Sequence, residues 1–241
     1  MSGHSKWATT RRAKAIVDAK RSSVFTRITN LITMSAREKG GSLETNFTLR
    51  MAVEKARAAN MPKDNIEKAI KKGTGEIAGN TLEELTYECV GPANSQFIVK
   101  AITDSKNRAA AEVRHIFSKF GGSMGSVMWN FSMKGVIRVA GEELQAKKLL
   151  GNEDFELELI DAGAEDAQSE EEGMTIFSRV EDLQKVQQFL AEKGIVTESA
   201  EIEYVAKDKI KVSADEQEVI DKLIDMLEDC DDVSEYFSNI E

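Results

Sequence analysis

The sequence predicts an α+β protein, with an N-terminal helical bundle followed by two α/β domains of ferredoxin-like type, one inserted in the other. Apolar residues follow a helical period in residues 1–79, and strand-length apolar runs replace that period afterwards. Residues 134–206 then follow the order strand, helix, strand, strand, helix, strand. The predicted domains are therefore residues 1–79, residues 80–133 joined to 207–241, and the inserted residues 134–206.

The first domain is predicted to contain three helices. Residues 22–39 carry one apolar stripe and end at Gly40-Gly41, as a helix C-terminus commonly does. A second helix is predicted over residues 48–59. A third begins near Pro62, whose fixed φ and missing N–H suit a first helical turn, and stops at Gly73.

The second domain begins with β-rich runs. Strands are predicted at residues 86–90 and 97–103, with a helix at 107–120. The alternation of Val127, Trp129 and Phe131 predicts a further strand. The glycines between Gly121 and Gly125 follow a helix and precede a strand. A phosphate-binding glycine loop instead follows a strand and precedes a helix, so we interpret these glycines as a turn that needs positive φ.

The inserted unit and the tail complete the chain. Within the insertion, strands are predicted near residues 136–139, 165–170, 174–178 and 199–205, and helices at 142–162, broken at Gly151-Asn152, and at 180–193. The tail is predicted as a strand at 209–212, a helix at 214–228 and a strand at 233–238. These last elements would complete the sheet begun before the insertion.

Charge divides by position. Residues 1–79 hold 16 Lys and Arg against 7 Asp and Glu, a net +9, whereas the remainder of the chain is −19, which together give the overall −10. An excess of this size at one end predicts a polyanionic partner, most simply nucleic acid. The acidic domains would face away from that polyanion or meet protein partners.

The basic residues of the first domain are the candidate nucleic-acid contacts, and Trp7 could stack on a base or ribose. The predicted contact residues are His4, Lys6, Trp7, Arg11, Arg12, Lys14, Lys20, Arg21, Arg27, Arg57, Lys63, Lys71 and Lys72. No zinc finger, basic zipper or RNP motif accompanies them, so sequence-specific base readout is not predicted.

Catalytic, metal and cofactor sites are not predicted. The two histidines, His4 and His115, lack the local context of a triad, and Cys89 and Cys230 lack a Cys-x-x-Cys partner. The acidic runs 170–172 and 229–232 lack the spacing of a calcium loop and are interpreted as solvated turns. No apolar stretch approaches a membrane span and no signal peptide is evident, which predicts a cytoplasmic protein.

Several strings resemble a known family. They are Gly3-His4-Ser5-Lys6-Trp7, Asp18-Ala19-Lys20-Arg21, Lys55-Ala56-Arg57-Ala58-Ala59-Asn60-Met61-Pro62-Lys63-Asp64-Asn65-Ile66, Lys71-Lys72-Gly73-Thr74-Gly75-Glu76, Asp104-Ser105-Lys106-Asn107-Arg108, Asp161-Ala162-Gly163-Ala164-Glu165-Asp166 and Asp231-Asp232-Val233. Together they closely resemble the YebC/PmpR family, whose mitochondrial relative is the translational activator of cytochrome c oxidase subunit I. The resemblance spans nearly the whole chain.

The resemblance implies three domains and a role in gene expression. Family members are described as probable transcriptional regulators that bind DNA, and some resemble ribosome-associated factors that help translation through proline runs. The leading hypothesis is therefore a non-enzymatic, DNA-binding transcriptional regulator without a cofactor. A ribosome-bound translation factor, and an interaction scaffold that works through its acidic face, remain the alternatives, because phosphate contacts do not separate DNA from RNA.

Overall fold

The computed structural model describes residues 21–79, 81–170 and 173–241. The chain divides into two compact units: a first unit that ends at Asn130 and resumes with Ala206–Glu241, and a second unit, Phe131–Val205. Both mix helices with β-sheet, so the α+β class is confirmed. The three-domain boundaries and the insertion of one ferredoxin-like domain in another stay predictions.

Three helices occupy the N-terminal part of the first unit: α1 (Arg21–Lys39), α2 (Phe47–Ala58) and α3 (Lys63–Gly73). Asn46 joins the first two. Its side-chain oxygen accepts the Leu49 N–H at 3.0 Å, and its amide donates to the carbonyls of Ser35 and Gly40 at 2.8 Å each. A buried polar side chain thus caps α2 and satisfies carbonyls at the end of α1.

The three helices share one apolar core. Its buried residues are Ile28, Ile32, Ala36, Leu49, Ala52, Val53, Ala56, Met61, Ile66 and Ala69. Gly73 permits the closest approach of α3 to α1. A Cβ added there would lie 2.4 Å from the Thr33 carbonyl oxygen and 2.7 Å from the Ala36 Cβ, so no larger residue fits without movement.

A four-stranded sheet forms the remainder of the first unit, in the order β3-β1-β2-β8. Its strands are β1 (Glu83–Val90), β2 (Gln96–Thr103), the short β3 (Ser123–Met124) and β8 (Val233–Ser238), all paired antiparallel. The predicted pairing of the tail with the earlier strands is thereby confirmed.

Helices cover both faces of this sheet. α4 (Lys106–Lys119) and α8 (Ala214–Asp229) pack on the face that carries Phe97 and Val99. Ile98 points to the opposite face, where it is fully buried beside its partner Phe237, and α1 contacts β2 and β8. The helical bundle and the sheet therefore bury apolar surface against each other.

Two strand predictions in this unit are wrong. Met128–Asn130 is a 3₁₀ turn, and the strand begins only at Phe131, because the turn is fixed by side-chain hydrogen bonds described below. Residues 209–212 form no strand; Ile210 makes an isolated bridge to Ile240, since the segment meets only the end of the chain. The glycine turn is as predicted, with Gly121 at φ 75°.

The second unit contains one sheet in the order β5-β6-β4-β7. Its elements in chain order are β4 (Phe131–Ala140), α5 (Gly141–Ala146), α6 (Glu153–Asp161), β5 (Ala164–Glu170), β6 (Gly173–Ser178), α7 (Leu183–Glu192) and β7 (Ser199–Ala206). The predicted break in the first helical stretch is confirmed. Arg138 and Glu203, both buried, form a bidentate ion pair at 2.7 and 3.0 Å in this unit.

Replacing Gly73 with Ala should destabilise the protein. The new methyl group would meet backbone and Cβ atoms of α1 that cannot move independently, and overpacking of this kind costs about 1–3 kcal/mol. The free energy of unfolding in urea, followed by far-UV circular dichroism, measures the effect. Gly79→Ala is the matched control, because its added Cβ would approach only the Lys72 side chain, at 3.6 Å. Equal stability of the two variants would contradict the close helix crossing.

Candidate nucleic-acid interface

Two helix C-termini lie side by side in the helical region. Gly73 abuts Thr33 and Ala36 near the end of α1, and a Cβ on Gly41 would meet the side chains of Ile70 and Thr74 at the end of α3. Each C-terminus carries a partial negative charge, so their proximity favours nearby cations. Basic residues occupy both last turns: Arg37 and Lys39 in α1, Lys71 and Lys72 in α3.

This arrangement gives Lys71 and Lys72 a structural role and leaves their ammonium groups available. Both side chains are exposed and have no carboxylate partner among the described residues. Arg37 differs, since its guanidinium donates to the Leu82 carbonyl at 2.7 Å and ties α1 to the chain entering the sheet. The sequence prediction includes neither Arg37 nor Lys39, although basic residues before a glycine stop would have indicated them.

The other predicted contacts have separate environments. Arg57 lies exposed in the last turn of α2, and Lys63 is exposed at the start of α3, where it pairs with Glu67 at 3.5 Å. Arg27 is half-buried on α1. Burial, and then the charge of Glu228, raise the pKa of Tyr236 on β8 well above its usual range, and the positive charge of Arg27 partly opposes this rise. Arg27 is therefore close to Tyr236 on β8.

Most of the predicted basic segment falls outside the described residues. His4, Lys6, Trp7, Arg11, Arg12, Lys14 and Lys20 precede the first described residue, and Arg21 opens α1 with its side chain outside the description. Their role as nucleic-acid contacts stays a prediction.

Lys55 on α2 is held by the acidic sheet. It lies 3.3 Å from Glu235 on β8, and Glu235 also meets Lys100 at 3.6 Å, which in turn pairs with Glu84 at 2.7 Å. Ion pairs thus join a basic helix to the acidic strands where the two pack together.

Asp232 is not a solvated residue, contrary to the prediction for the acidic run 229–232. It is 8% exposed, and its carboxylate accepts two hydrogen bonds from Arg108, at 2.9 and 2.8 Å. Arg108 also donates to Asp104 at 2.9 Å. The hydrogen bonds to Asp232, and to a smaller extent that to Asp104, raise the pKa of the Arg108 guanidinium. The clamp fixes the start of α4 to the loop before β8. The neighbouring Asp229 and Asp231 are exposed, as predicted.

The two cysteines, Cys89 and Cys230, lack the character of catalytic nucleophiles. Cys89 is fully buried, and burial raises the pKa of its thiol to about 12. Burial, then a hydrogen bond to Glu112 at 3.2 Å, raises the pKa of Cys230 to about 11. Neither thiol forms a disulfide, and His115 is exposed. Within residues 21–79, 81–170 and 173–241, no three His, Cys, Asp or Glu side chains are grouped to hold a metal ion.

Across the described ranges, helices are too short or too polar to cross a membrane.

Comparison with known proteins gives whole-chain matches. The family described as "TACO1/YebC protein N-terminal domain" matches residues 5–76, and "TACO1/YebC second and third domain" matches residues 82–240. Proteins of Kosmotoga olearia and Fervidobacterium nodosum, both named "Probable transcriptional regulatory protein", are 45% and 47% identical, over 100% of this chain and 94% of each relative. A protein of the same name from Caldanaerobacter subterraneus is 43% identical over 100% of this chain and 98% of its own.

A solved structure shares the fold. The crystal structure of a conserved hypothetical protein from Aquifex aeolicus superimposes with a TM-score of 0.82 at 37% identity, over 94% of this chain and 93% of that one. Its name states no function.

The two thiols should resist modification in the folded protein. At pH 8 a thiol of pKa about 11 holds roughly a hundredfold less thiolate than an exposed cysteine, and burial slows its reaction further. The rate of reaction with Ellman's reagent measures this, with the urea-unfolded chain as control. Cys230 should gain reactivity as the pH rises toward 11, ahead of Cys89. Rapid reaction of either thiol in the native protein at pH 8 would contradict the burial described.

Proposed function

Because this chain belongs to the TACO1/YebC family, we propose that it is a non-enzymatic, cytoplasmic regulator of gene expression that binds nucleic acid, in the first place DNA, through its basic N-terminal helices. The names of the relatives support a regulatory role in transcription. The proposal needs no cofactor, because electrostatic contact with phosphates is itself the activity.

The observation that carries the proposal is the set of exposed cations on the helical region. Arg57, Lys68, Lys71 and Lys72 are exposed, and none has an acidic partner within the described ranges. They belong to the part of the chain whose net charge is +9 beside a remainder of −19. Unneutralised cations facing solvent attract a polyanion, while the acidic sheets repel it and orient the molecule.

The binding mode that follows is phosphate contact without base readout. Lys71 and Lys72 lie at a helix C-terminus, which presents backbone carbonyl groups and flexible ammonium groups. Reading base edges in the major groove requires instead several side chains along one helix face or strand. The residues before α1 would add the remaining cations and Trp7. Affinity would then depend on salt much more than on sequence.

We also propose the three-domain arrangement predicted from the sequence, with residues 134–206 as an inserted ferredoxin-like domain. The order of elements in the second unit, and the return of the chain to the first sheet through β8, support it. The exposed acidic surfaces are proposed to meet protein partners.

A ribosome-associated translation factor is the second candidate, because no base-reading motif accompanies the exposed cations. Such contacts suit structured RNA as well as duplex DNA. Co-sedimentation with ribosomes and binding to promoter DNA, both at about 150 mM salt, separate the two functions. Firm ribosome association with only non-specific DNA binding would reject the transcriptional role in favour of the translational one.

Reversing the charge of four N-terminal residues should abolish nucleic-acid binding. In the variant Arg11→Glu, Arg12→Glu, Lys20→Glu and Arg21→Glu, repulsion replaces attraction at the proposed contacts. Fluorescence anisotropy with labelled duplex DNA and structured RNA measures the dissociation constants. If the parent protein makes six to ten phosphate contacts, raising the salt concentration from 50 to 200 mM should weaken its binding roughly 10³- to 10⁵-fold.

The control variant carries the same change of net charge elsewhere. Lys119, Lys148, Lys185 and Lys222 are exposed and lie outside the helical region, so their reversal to Glu should leave most of the affinity intact. Equal losses in the two variants would show that overall charge, and not the N-terminal residues, governs binding. Unchanged binding in the first variant would reject the basic helices as the contact site.

A further inference from the structure

Trp129 is a large aromatic side chain exposed at the surface of the first unit. It lies in the 3₁₀ turn Met128–Asn130 and is 62% exposed. A tryptophan carries a large apolar surface, and leaving it in water forgoes the burial that normally stabilises a fold. Its exposure is therefore better explained by contact with a ligand than by folding.

The turn that presents Trp129 is held by one carboxylate. A single Glu88 oxygen accepts the N–H groups of Val127 and Met128, at 2.7 and 2.6 Å, and lies 3.4 Å from the Ser126 hydroxyl. The indole N–H of Trp129 donates to the Ser126 carbonyl at 3.3 Å, which orients the ring. The exposed aromatic face is thus fixed before any ligand arrives, and a preorganised side chain loses little entropy on binding.

Asn130 anchors the other end of the turn. It is 1% exposed, and its amide donates to Gln96 at 2.8 Å and to the Asp208 carbonyl at 2.9 Å, while its oxygen accepts the Asp208 N–H at 2.8 Å. These bonds join the turn to the strand β2 and to the returning chain. The chain therefore uses a buried polar network to keep Trp129 at the surface.

A positive charge lies beside the backbone of the turn that carries the exposed ring. The Lys207 ammonium donates to the Trp129 carbonyl at 3.1 Å and has no carboxylate partner among the described residues. Residues 207–211 contain three lysines and one acid, in a region that is otherwise strongly acidic. Lys211 pairs with Glu241 at 3.4 Å, whereas Lys207 and Lys209 are exposed. The local charge is opposite in sign to that of the surrounding domain.

We propose that Trp129 and Lys207 form a second nucleic-acid contact, in which the indole stacks on an unpaired base and the ammonium meets a neighbouring phosphate. The ligand class is single-stranded nucleic acid, or an unpaired loop within a folded one, because a base inside a duplex offers no free face. This inference rests on the proposed nucleic-acid function but uses a surface outside the N-terminal helices.

The chemistry favours a nucleotide over a protein surface. Protein hot spots are surrounded by near-neutral contacts that exclude water, whereas the turn that carries Trp129 bonds to the exposed Lys207 and to the half-buried Glu88 carboxylate. That carboxylate is engaged by backbone N–H groups, which offsets its repulsion of a phosphate. A stacked base with a phosphate beside it matches a flat apolar face with one adjacent cation.

The test uses the two tryptophans of the chain. In a Trp7→Phe background, Trp129 is the only indole, so its fluorescence reports this site alone. Titration with a single-stranded oligonucleotide of about 12 nucleotides, a length within the usual site range, should quench the emission, and a duplex of equal length should not. Absence of quenching by a single strand that binds would overturn the proposal.

Affinity measured by anisotropy gives the second readout. Trp129→Ala should weaken single-strand binding roughly 5- to 150-fold and leave duplex binding within about twofold, while Trp129→Phe should keep part of the affinity. Lys207→Gln should reduce the slope of log affinity against log salt by about one. Thermal unfolding at the parental temperature would show that these exposed substitutions leave the fold intact.

Glu88 is a positioning residue in this scheme. Glu88→Ala frees the turn and should lower single-strand affinity, and Glu88→Gln, which keeps a carbonyl acceptor for the turn N–H groups, should restore it. Failure of Gln to rescue binding in a folded variant would contradict this positioning role.

The remaining outcomes separate this inference from the proposed function. If Trp129→Ala binds single strands as the parent does, while the Arg11, Arg12, Lys20 and Arg21 reversal abolishes binding, this site is rejected and the function stands. If the parent binds neither single strands nor duplex, the proposed function itself fails. Unchanged affinity in Trp129→Ala, together with a lower sedimentation coefficient, would assign the indole to contact between copies of the chain and overturn the proposal.

Discussion

The pairing of β8 with β2 is the interaction on which the first unit depends. β2 and β8 are separated by more than a hundred residues, and the chain between them contains the whole second unit. Closing so long a loop costs entropy, which the surface buried by this pairing helps to offset. Phe237 beside Ile98, and Val233 within the core under α4 and α8, supply that surface.

Polar contacts then fix the place where this strand joins the sheet. The Asp232 carboxylate clamps Arg108 just before β8, its carbonyl accepts the Ile102 N–H at 2.8 Å, and Asn130 ties the departing chain to Asp208 on its return. The same network holds the 3₁₀ turn that exposes Trp129. A single topological requirement, the return of the tail to the sheet, thus accounts for both the Arg108–Asp232 ion pair and the turn that presents Trp129.

The basic residues of the helical region fall into two groups: some are engaged in contacts within the protein, and others face solvent. Lys55 and Arg37 make contacts between the helices and the sheet region, whereas Lys71 and Lys72 lie in the last turn of α3, where they offset its partial negative charge and still face solvent. A count of basic residues cannot distinguish these groups. Among the described residues, the proposed interface is therefore best sought among the exposed basic side chains. The ion pair between Lys55 and Glu235 stabilises the packing of a basic helix against the acidic sheet.

The sequence by itself determined the helices, most strands, the charge asymmetry and the family strings, because periodicity, glycine stops and composition are local properties. Only the tertiary structure decided the role of Asp232, the turn at Trp129 and the bridge at Ile210. Each depends on partners far along the chain: Arg108 for Asp232, Glu88 for the turn, Ile240 for the bridge. Alternating apolar residues at 127–131 resemble a strand, but the distant Glu88 carboxylate and the partners of Asn130 hold residues 128–130 as a turn.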